Sequence, residues 1–209
     1  MPLKPYKTLI KEAQEAFIVN KSRFIGHGCP CETEEAALAF LARMRSEYKD
    51  ATHNCYAYII GANMGVMRYS DDGEPGGTAG MPIIEVMKAR GVTNCAVVVT
   101  RYFGGILLGG GGLVRAYSHT AKIAVDAGGI AVMRLCAVMQ AECDYNFYGK
   151  LNSFIPECGG IVDNAEFAEN VKLDFRIPAD FQQEFESKLT DISFGKVSAE
   201  KKGEIFCKI

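Results

Sequence analysis

Two glycine-rich stretches dominate this chain: Tyr69-Ser-Asp-Asp-Gly-Glu-Pro-Gly-Gly-Thr-Ala-Gly80 and Thr100-Arg-Tyr-Phe-Gly-Gly-Ile-Leu-Leu-Gly-Gly-Gly-Gly-Leu-Val-Arg-Ala-Tyr-Ser118. Together they hold ten of the 22 glycines. Glycine permits positive φ angles and close approach of the backbone. The clustering therefore predicts a surface built largely from backbone. Its charged side chains would be Asp71, Asp72, Glu74, Arg101 and Arg115.

The composition is that of a soluble globular protein of one or two domains. The 209 residues are 48% hydrophobic and 23% charged, and no apolar run approaches the ~18 residues of a membrane span. The first residues lack the apolar segment of a signal peptide, so we expect a cytoplasmic protein with no membrane association. The eight cysteines are irregularly spaced, which predicts reduced thiols that pack as small hydrophobic side chains.

Charge is divided unevenly along the chain. Residues 1–134 contain 15 Lys or Arg and 12 Asp or Glu, a net +3, whereas residues 135–209 contain 8 and 13, a net −5. Neither part is basic enough to indicate nucleic-acid binding from charge alone. The asymmetry instead indicates two domains with different surfaces.

The first part of the chain alternates between strand and helix patterns. Residues 12–29 predict a hairpin that turns at residues 20–22, and Thr33 suits the N-cap of a helix over residues 33–49. Strands follow at residues 53–60 and 66–69, and a helix at residues 82–90. The continuous apolar run at residues 94–100 predicts a strand covered on both faces, and residues 113–127 predict a helix.

A different order begins near residue 132. Residues 135–144, 161–167, 170–177 and 196–209 predict strands, and residues 148–158 and 178–190 predict helices. This strand-helix-strand-strand-helix-strand order is the ferredoxin-like βαββαβ pattern. We therefore predict an α+β protein with domains at residues 1–131 and 132–209.

The second glycine-rich stretch leads from a strand into a helix, which is a ready-made anion site. It lacks the lysine of a P-loop, and it fails the dinucleotide pattern because Arg115 stands at the third glycine position. Arginine forks suit phosphate, and Tyr102, Phe103 and Tyr117 could stack on bases. Alternatively, the glycines serve tight packing, Arg101 pairs with an acid of the first stretch, and the aromatics are core. The candidate ligand-binding residues are Arg101, Tyr102, Gly104, Gly105, Gly109, Gly110, Gly111, Gly112, Arg115 and His119.

The first stretch forms an acidic loop with Asp71, Asp72, Glu74 and Thr78. Carboxylates can bind divalent cations or transfer protons, but proline at position 82 excludes the EF-hand spacing. Carboxylates before a helix more often act as caps and loop ties. Zinc at Cys29 and Cys31, or at His53 and Cys55, has an unusual spacing.

The same residues give little support for a catalytic centre. A Cys55–His119 nucleophile pair is equally weak in the sequence, and His27 is expected to be structural. We therefore predict no metal, no cofactor and no catalytic residue.

Several segments resemble the signature of the YigZ/IMPACT family. They are Lys21-Ser-Arg-Phe-Ile25, Ala51-Thr-His-Asn-Cys-Tyr-Ala-Tyr58, both glycine-rich stretches and the preceding Val99. The resemblance covers about residues 15–125. It implies a first domain similar to ribosomal protein S5 domain 2 and a second domain that resembles the ferredoxin-like last domain of elongation factor G. It also implies a link to translation, because the eukaryotic relative restrains an initiation-factor kinase by competing for its activator.

The leading hypothesis is a non-enzymatic regulatory protein, linked to translation, that binds RNA, the ribosome or a translation-factor partner through a Gly-rich basic cleft. One alternative is an enzyme acting on a phosphorylated small molecule, with the acidic loop holding a metal or moving a proton. Another is a protein-interaction module that docks through its acidic second domain.

Overall fold

The computed structural model of the chain describes residues 4–208. It divides into two compact units, with the first at Pro5–Val132 and the second beginning at Met133. Both units combine helices with antiparallel sheets. The predicted two-domain α+β class is therefore confirmed.

The first unit is built on a five-stranded sheet in the order β2-β3-β6-β4-β5. All four strand pairs in it are antiparallel. Its elements are β1 (Tyr6–Leu9), β2 (Ala13–Val19), β3 (Ser22–Pro30), α1 (Glu34–Glu47), β4 (His53–Ile60), β5 (Val66–Ser70), α2 (Gly80–Arg90), β6 (Cys95–Tyr102) and α3 (Gly109–Gly128).

Strand β6 lies at the centre of this sheet and is covered on both faces, as its continuous apolar run predicts. Val97 and Val99 belong to one core with side chains of α2 and α3. Ala96 and Val98 belong to a second core with side chains of α1. The chain runs from β6 directly into the glycines of the second stretch. The most buried strand of the unit therefore anchors that loop.

Most predicted elements of the first unit are present with small shifts of their ends. Thr33 caps α1 by accepting a hydrogen bond from the backbone N–H of Ala36 at 3.2 Å. The prediction for α3 was too short, because the helix begins at Gly109 rather than at residue 113. Glycine is a poor helix former, but the N–H groups of a first turn need no helical partner. The short strand β1 was not predicted.

The second unit has the predicted order of strands and helices. Its elements are β7 (Ile130–Cys143), whose first residues belong to the first unit, α4 (Tyr145–Glu157), β8 (Ile161–Phe167), β9 (Val171–Pro178), a 3-10 turn (Ala179–Phe181), α5 (Gln182–Ser193) and β10 (Ala199–Lys208). Antiparallel pairing gives the order β10-β7-β9-β8. Helix α4 starts three residues earlier than predicted because the Asp144 carboxylate accepts from the N–H of Phe147 at 2.8 Å.

One prediction about the cysteines is wrong. A disulfide joins Cys136 and Cys207, although all eight thiols were expected to be reduced. The two residues lie on neighbouring strands, where Cys136 faces Ile205 and Cys207 faces Arg134 in the β7–β10 register. Their 71-residue separation hides this proximity from the sequence, since only the strand pairing creates it. The other six cysteines are free.

We predicted no membrane association from the sequence, and the helices were compared with the requirements for a membrane span. Within residues 4–208, no helix combines the length and apolar character needed to cross a membrane.

Candidate functional site

The acidic loop of residues 71–80 is held in place by the carboxylate of Asp71. Its two oxygens accept hydrogen bonds from the backbone N–H groups of Gly77 at 2.8 Å, Ala79 at 3.0 Å and Gly80 at 2.8 Å. Partial burial acts to raise the pKa of Asp71, but these three amide donors outweigh it and lower the pKa. Asp71 therefore ties the loop and caps α2.

Asp72 attaches the same loop to strand β4. Its carboxylate accepts from the backbone N–H of Asn54 at 2.6 Å, and its carbonyl oxygen lies 2.7 Å from Nδ1 of His53. Thr78 closes the loop locally by donating its hydroxyl to the carbonyl of Pro75 at 2.6 Å. The expectation that carboxylates of this loop serve as loop ties is confirmed for Asp71 and Asp72.

Glu74 is the centre of a buried polar cluster. Its Oε1 accepts from the guanidinium of Arg101 at 2.6 Å and from the hydroxyl of Tyr117 at 2.7 Å. The Cys55 thiol lies 3.4 Å from that hydroxyl, and Nε2 of His53 lies 4.0 Å from Glu74. The side chains of Glu74 and Arg101 are only 3% and 6% exposed. We call these five residues the Glu74 cluster.

The Glu74 cluster is unsuited to nucleophilic chemistry. Burial raises the pKa of the Cys55 thiol to about 12, against the lowering effect of its hydrogen bond with Tyr117. Burial and the neighbouring Cys55 also raise the pKa of Tyr117. A thiol needs a lowered pKa to act as a nucleophile near neutral pH. His119, the base once considered for Cys55, is exposed and packs against the ring of Phe17 at 4.4 Å.

These contacts correct two expectations about ligand binding. Arg101 is not part of an open basic surface, because it is 5% exposed and paired with Glu74. Tyr117 is fully buried in the core and meets Phe24 edge to face, so it offers no ring for stacking. Of the acids considered as partners for Arg101, the structure selects Glu74. Tyr102 donates its hydroxyl to Asp50 at 3.0 Å.

The glycines of the second stretch serve two different purposes. Gly104 packs against backbone, since a Cβ there would overlap the carbonyl carbon of Lys21. Gly105 and Gly109 have φ angles of +82° and +68°, a region that favours glycine. A Cβ at Gly110 would meet nothing within 4 Å. Tight packing therefore explains Gly104, whereas the first turn of α3 is open.

A groove runs along the N-terminal half of α3, with a volume of about 490 Å³. We call it the α3 groove. Arg115 and His119 line it together, as their spacing of one helical turn predicts. Gly112 was also predicted as a ligand-binding residue, but the sequence did not predict the other walls, although Phe17 and Val19 are two residues apart and so share one face of β2. The remaining lining residues are Phe17, Val19, Asn20, Leu108, Gly112 and Ala116.

Arg115 stands apart from most arginines in the described part of the chain. Within residues 4–208 it is exposed and has no ion pair, while six other arginines have a carboxylate within 4.0 Å. Those six are Arg43, Arg45, Arg90, Arg101, Arg134 and Arg176. The guanidinium of Arg115 is thus available to an external anion.

The loop beside the α3 groove also exposes apolar side chains. Leu107 is 85% exposed, Phe103 45% and Ile106 43%. Val114, which precedes Arg115 on α3, is 38% exposed. Clustered exposure of large apolar groups is a common mark of an interaction surface.

The cysteine and histidine pairs considered for zinc do not form a metal centre in the described region. Residues 4–208 contain no group of three His, Cys, Asp or Glu side chains arranged to hold a metal ion. His53 and Cys55 do share a face of β4, but they contact the backbone of Asp72 and Asp71. His27 is structural as expected: it is buried and burial lowers its pKa to about 4.

Comparison with known sequences identifies two family domains that follow each other along the chain. The profile of the Impact N-terminal domain matches residues 20–125, and that of a domain of unknown function, DUF1949, matches residues 142–196. The IMPACT family member YvyE of Bacillus subtilis is 36% identical over 97% of this chain and 93% of its own length. The IMPACT family member YigZ of Escherichia coli is 36% identical over 86% of this chain and 89% of its own length.

More distant relatives and a solved structure extend the match. Protein IMPACT of Mus musculus is 37% identical over 43% of this chain and 29% of its own length. A crystal structure of a hypothetical protein aligns with a TM-score of 0.62 and 32% identity, covering 96% of this chain and 98% of that one. Both glycine-rich stretches fall within the Impact N-terminal match. This chain therefore belongs to the IMPACT family.

Proposed function

We propose that this protein is a regulatory protein linked to translation that binds RNA, the ribosome or a translation-factor partner at the α3 groove. Membership in the IMPACT family supports the link to translation. The proposal includes a cytoplasmic location, where translation takes place. It describes a binding protein rather than an enzyme.

The single observation that carries the proposal is Arg115, which is exposed, has no ion pair within residues 4–208, and lies at a groove beside the open first turn of α3. Leu108, the N-cap residue, makes no side-chain hydrogen bond to that turn, and the N-terminus of a helix favours negative charge. An arginine in this setting suits a phosphate or a carboxylate of a partner. The acidic loop has a structural role instead, since the carboxylates of Asp71 and Glu74 already form hydrogen bonds inside the unit.

Those inner contacts weaken the alternative of an enzyme acting on a phosphorylated small molecule. Glu74 Oε1 is shared by Arg101 and Tyr117, and Asp71 holds three amide groups. In the described part of the chain, no contact joins either carboxylate to a residue that lines the α3 groove. Acid–base or metal chemistry at this loop would have to displace the bonds that shape it.

The test compares two exposed arginines in the full chain. Arg115→Ala removes the groove cation. Arg68→Ala is the matched control because Arg68 is exposed and, in the described part of the chain, bonds only to the carbonyl of Met67. We expect Arg115→Ala to reduce co-sedimentation with ribosomes or recovery with translation factors about tenfold, while the control behaves as wild type. Equal association of all three proteins would contradict the proposal.

A second measurement separates RNA from protein partners. If phosphate contacts carry the association, it will weaken steeply between about 50 and 200 mM salt and will be lost after ribonuclease treatment. If a protein surface carries it, ribonuclease will leave it intact.

A further inference from the structure

We propose that the α3 groove receives a segment of a partner polypeptide that presents an apolar side chain next to a carboxylate. This rests on the proposed function and specifies the chemistry of the partner. The groove has an apolar floor and a cationic rim, and each part argues for one half of that partner.

The floor of the α3 groove is suited to an aliphatic or aromatic side chain. Phe17, Val19 and Leu108 line it together with Ala116. Ile106 and Leu107 are exposed in the loop that enters the helix. Covering apolar surface contributes about 25 cal/mol per Å², so a partner gains most from this site by burying an apolar group.

The rim of the α3 groove selects negative charge. Arg115 and His119 are its ionisable side chains, and no acidic residue is among the described residues that line it. An arginine can bind a carboxylate through two parallel hydrogen bonds. Arg43 and Arg90 already have such acidic partners within the unit, whereas Arg115 has none in the described chain. Because the described lining of the groove has no acid of its own, the partner that this groove can give Arg115 is an external carboxylate.

The same groove is poorly suited to RNA. Tight RNA binding uses several cations along the phosphate backbone and open aromatic faces for the bases. Among the described residues that line the groove, only Phe17 has a phenyl ring, and that ring already lies 4.4 Å from the ring of His119. The aliphatic groups of the loop have no use in a phosphate site.

Peptide display on the full chain tests the inference. Random peptides of about twelve residues, a length that spans a groove-bound helix or strand, are panned against wild type. A selected peptide is then labelled and titrated by fluorescence anisotropy. We expect enrichment of peptides with Asp or Glu beside Leu, Ile or Phe. Binding should weaken at least about tenfold in Arg115→Glu, and also in Leu107→Ser, but should be unchanged in the control Arg68→Glu.

Three results would overturn the inference: enrichment of no acidic peptide, equal affinity for Arg115→Glu, or saturable binding of a polyuridine RNA of equal length that Arg115→Glu abolishes. Circular dichroism and thermal melting confirm that each variant is folded. If ribosome or factor association depends on Arg115 but no acidic peptide binds, the polypeptide inference fails and the proposed function stands. If that association is independent of Arg115, the proposed function itself fails.

Discussion

Arg101 and Arg115 flank the same glycine-rich loop, and their surroundings are opposite. Arg101 is the penultimate residue of the central strand and lies in the Glu74 cluster, where its guanidinium bonds a carboxylate at 2.6 Å. Arg115 lies two turns into α3, exposed beside the α3 groove and without an ion pair in residues 4–208. The backbone between them contains six glycines.

The difference separates a structural role from a binding role within one sequence motif. A buried ion pair is costly to break because the remaining charge stays in a poorly solvated place. An exposed arginine contributes little to stability, so a folded protein can lose it without harm. Arg101 thus holds the acidic loop against the sheet, and Arg115 is left for a partner.

The largest effect is expected when the Arg101–Glu74 ion pair of the Glu74 cluster is broken. Arg101→Met should destabilise the first unit by about 3–5 kcal/mol, since it leaves the buried Glu74 carboxylate without its cation. Arg115→Met should change stability by less than about 0.5 kcal/mol. Urea unfolding of the full chain, with hydrogen exchange of the β6 amides to identify the first unit, measures both.

The double variant Arg101→Met/Glu74→Leu is the control for this pair. It removes both charges and should recover part of the unfolding free energy that Arg101→Met loses. Similar losses in Arg101→Met and Arg115→Met would contradict the distinction between the two arginines.

The second effect contrasts two glycines of the loop. Gly104→Ala should cost about 3 kcal/mol, because the new methyl would overlap the backbone of Lys21. Gly110→Ala should instead stabilise the chain by about 0.5–1 kcal/mol, since that helical position has open space and alanine favours the helix. Thermal melting of the two variants measures both shifts, and a destabilised Gly110→Ala would show that the first turn of α3 is not open.

A smaller effect tests the hydroxyl that links α3 to the Glu74 cluster. Tyr117→Phe removes a buried bond to Glu74 and a contact with Cys55, and should cost about 1–2 kcal/mol. Tyr102→Phe removes the exposed bond to Asp50 and should cost less than about 0.5 kcal/mol. Equal midpoints of urea unfolding for the two variants would show that the cluster does not depend on Tyr117.

The smallest effect depends on pH and concerns the acidic loop. The folded-state pKa of Asp71 is lowered, so its contribution is fully present above the unfolded pKa of about 3.9. It is lost as the pH falls through the folded value. Asp71→Asn should therefore cost about 1 kcal/mol at neutral pH, with the difference from wild type vanishing in acid. A difference that stays constant from neutral pH to pH ~3 would exclude this titration as its source.

Local patterns were enough to predict most of the secondary structure. The apolar run of β6 indicated two covered faces, and Thr33 marked the start of α1. The two glycine-rich stretches were also identified as the distinctive part of the chain. Such features depend on residues close together in sequence, where propensity, capping and periodicity act directly.

Residue types alone could not show which role each charged residue has. Asp71, Asp72 and Glu74 are equivalent as candidates in the sequence, yet only Glu74 bonds to Arg101 in the core. The apolar walls of the α3 groove and the Cys136–Cys207 bond were missed for the same reason.

The sequence by itself determined the α+β class, the order of elements and the family signature. The tertiary structure alone decided which arginine is buried and which is exposed. Strand β4 presents His53 and Cys55 to the acidic loop, while α3 carries Tyr117 inward and Arg115 outward. These placements depend on contacts between segments far apart in the chain, where burial and desolvation set the role of each charge.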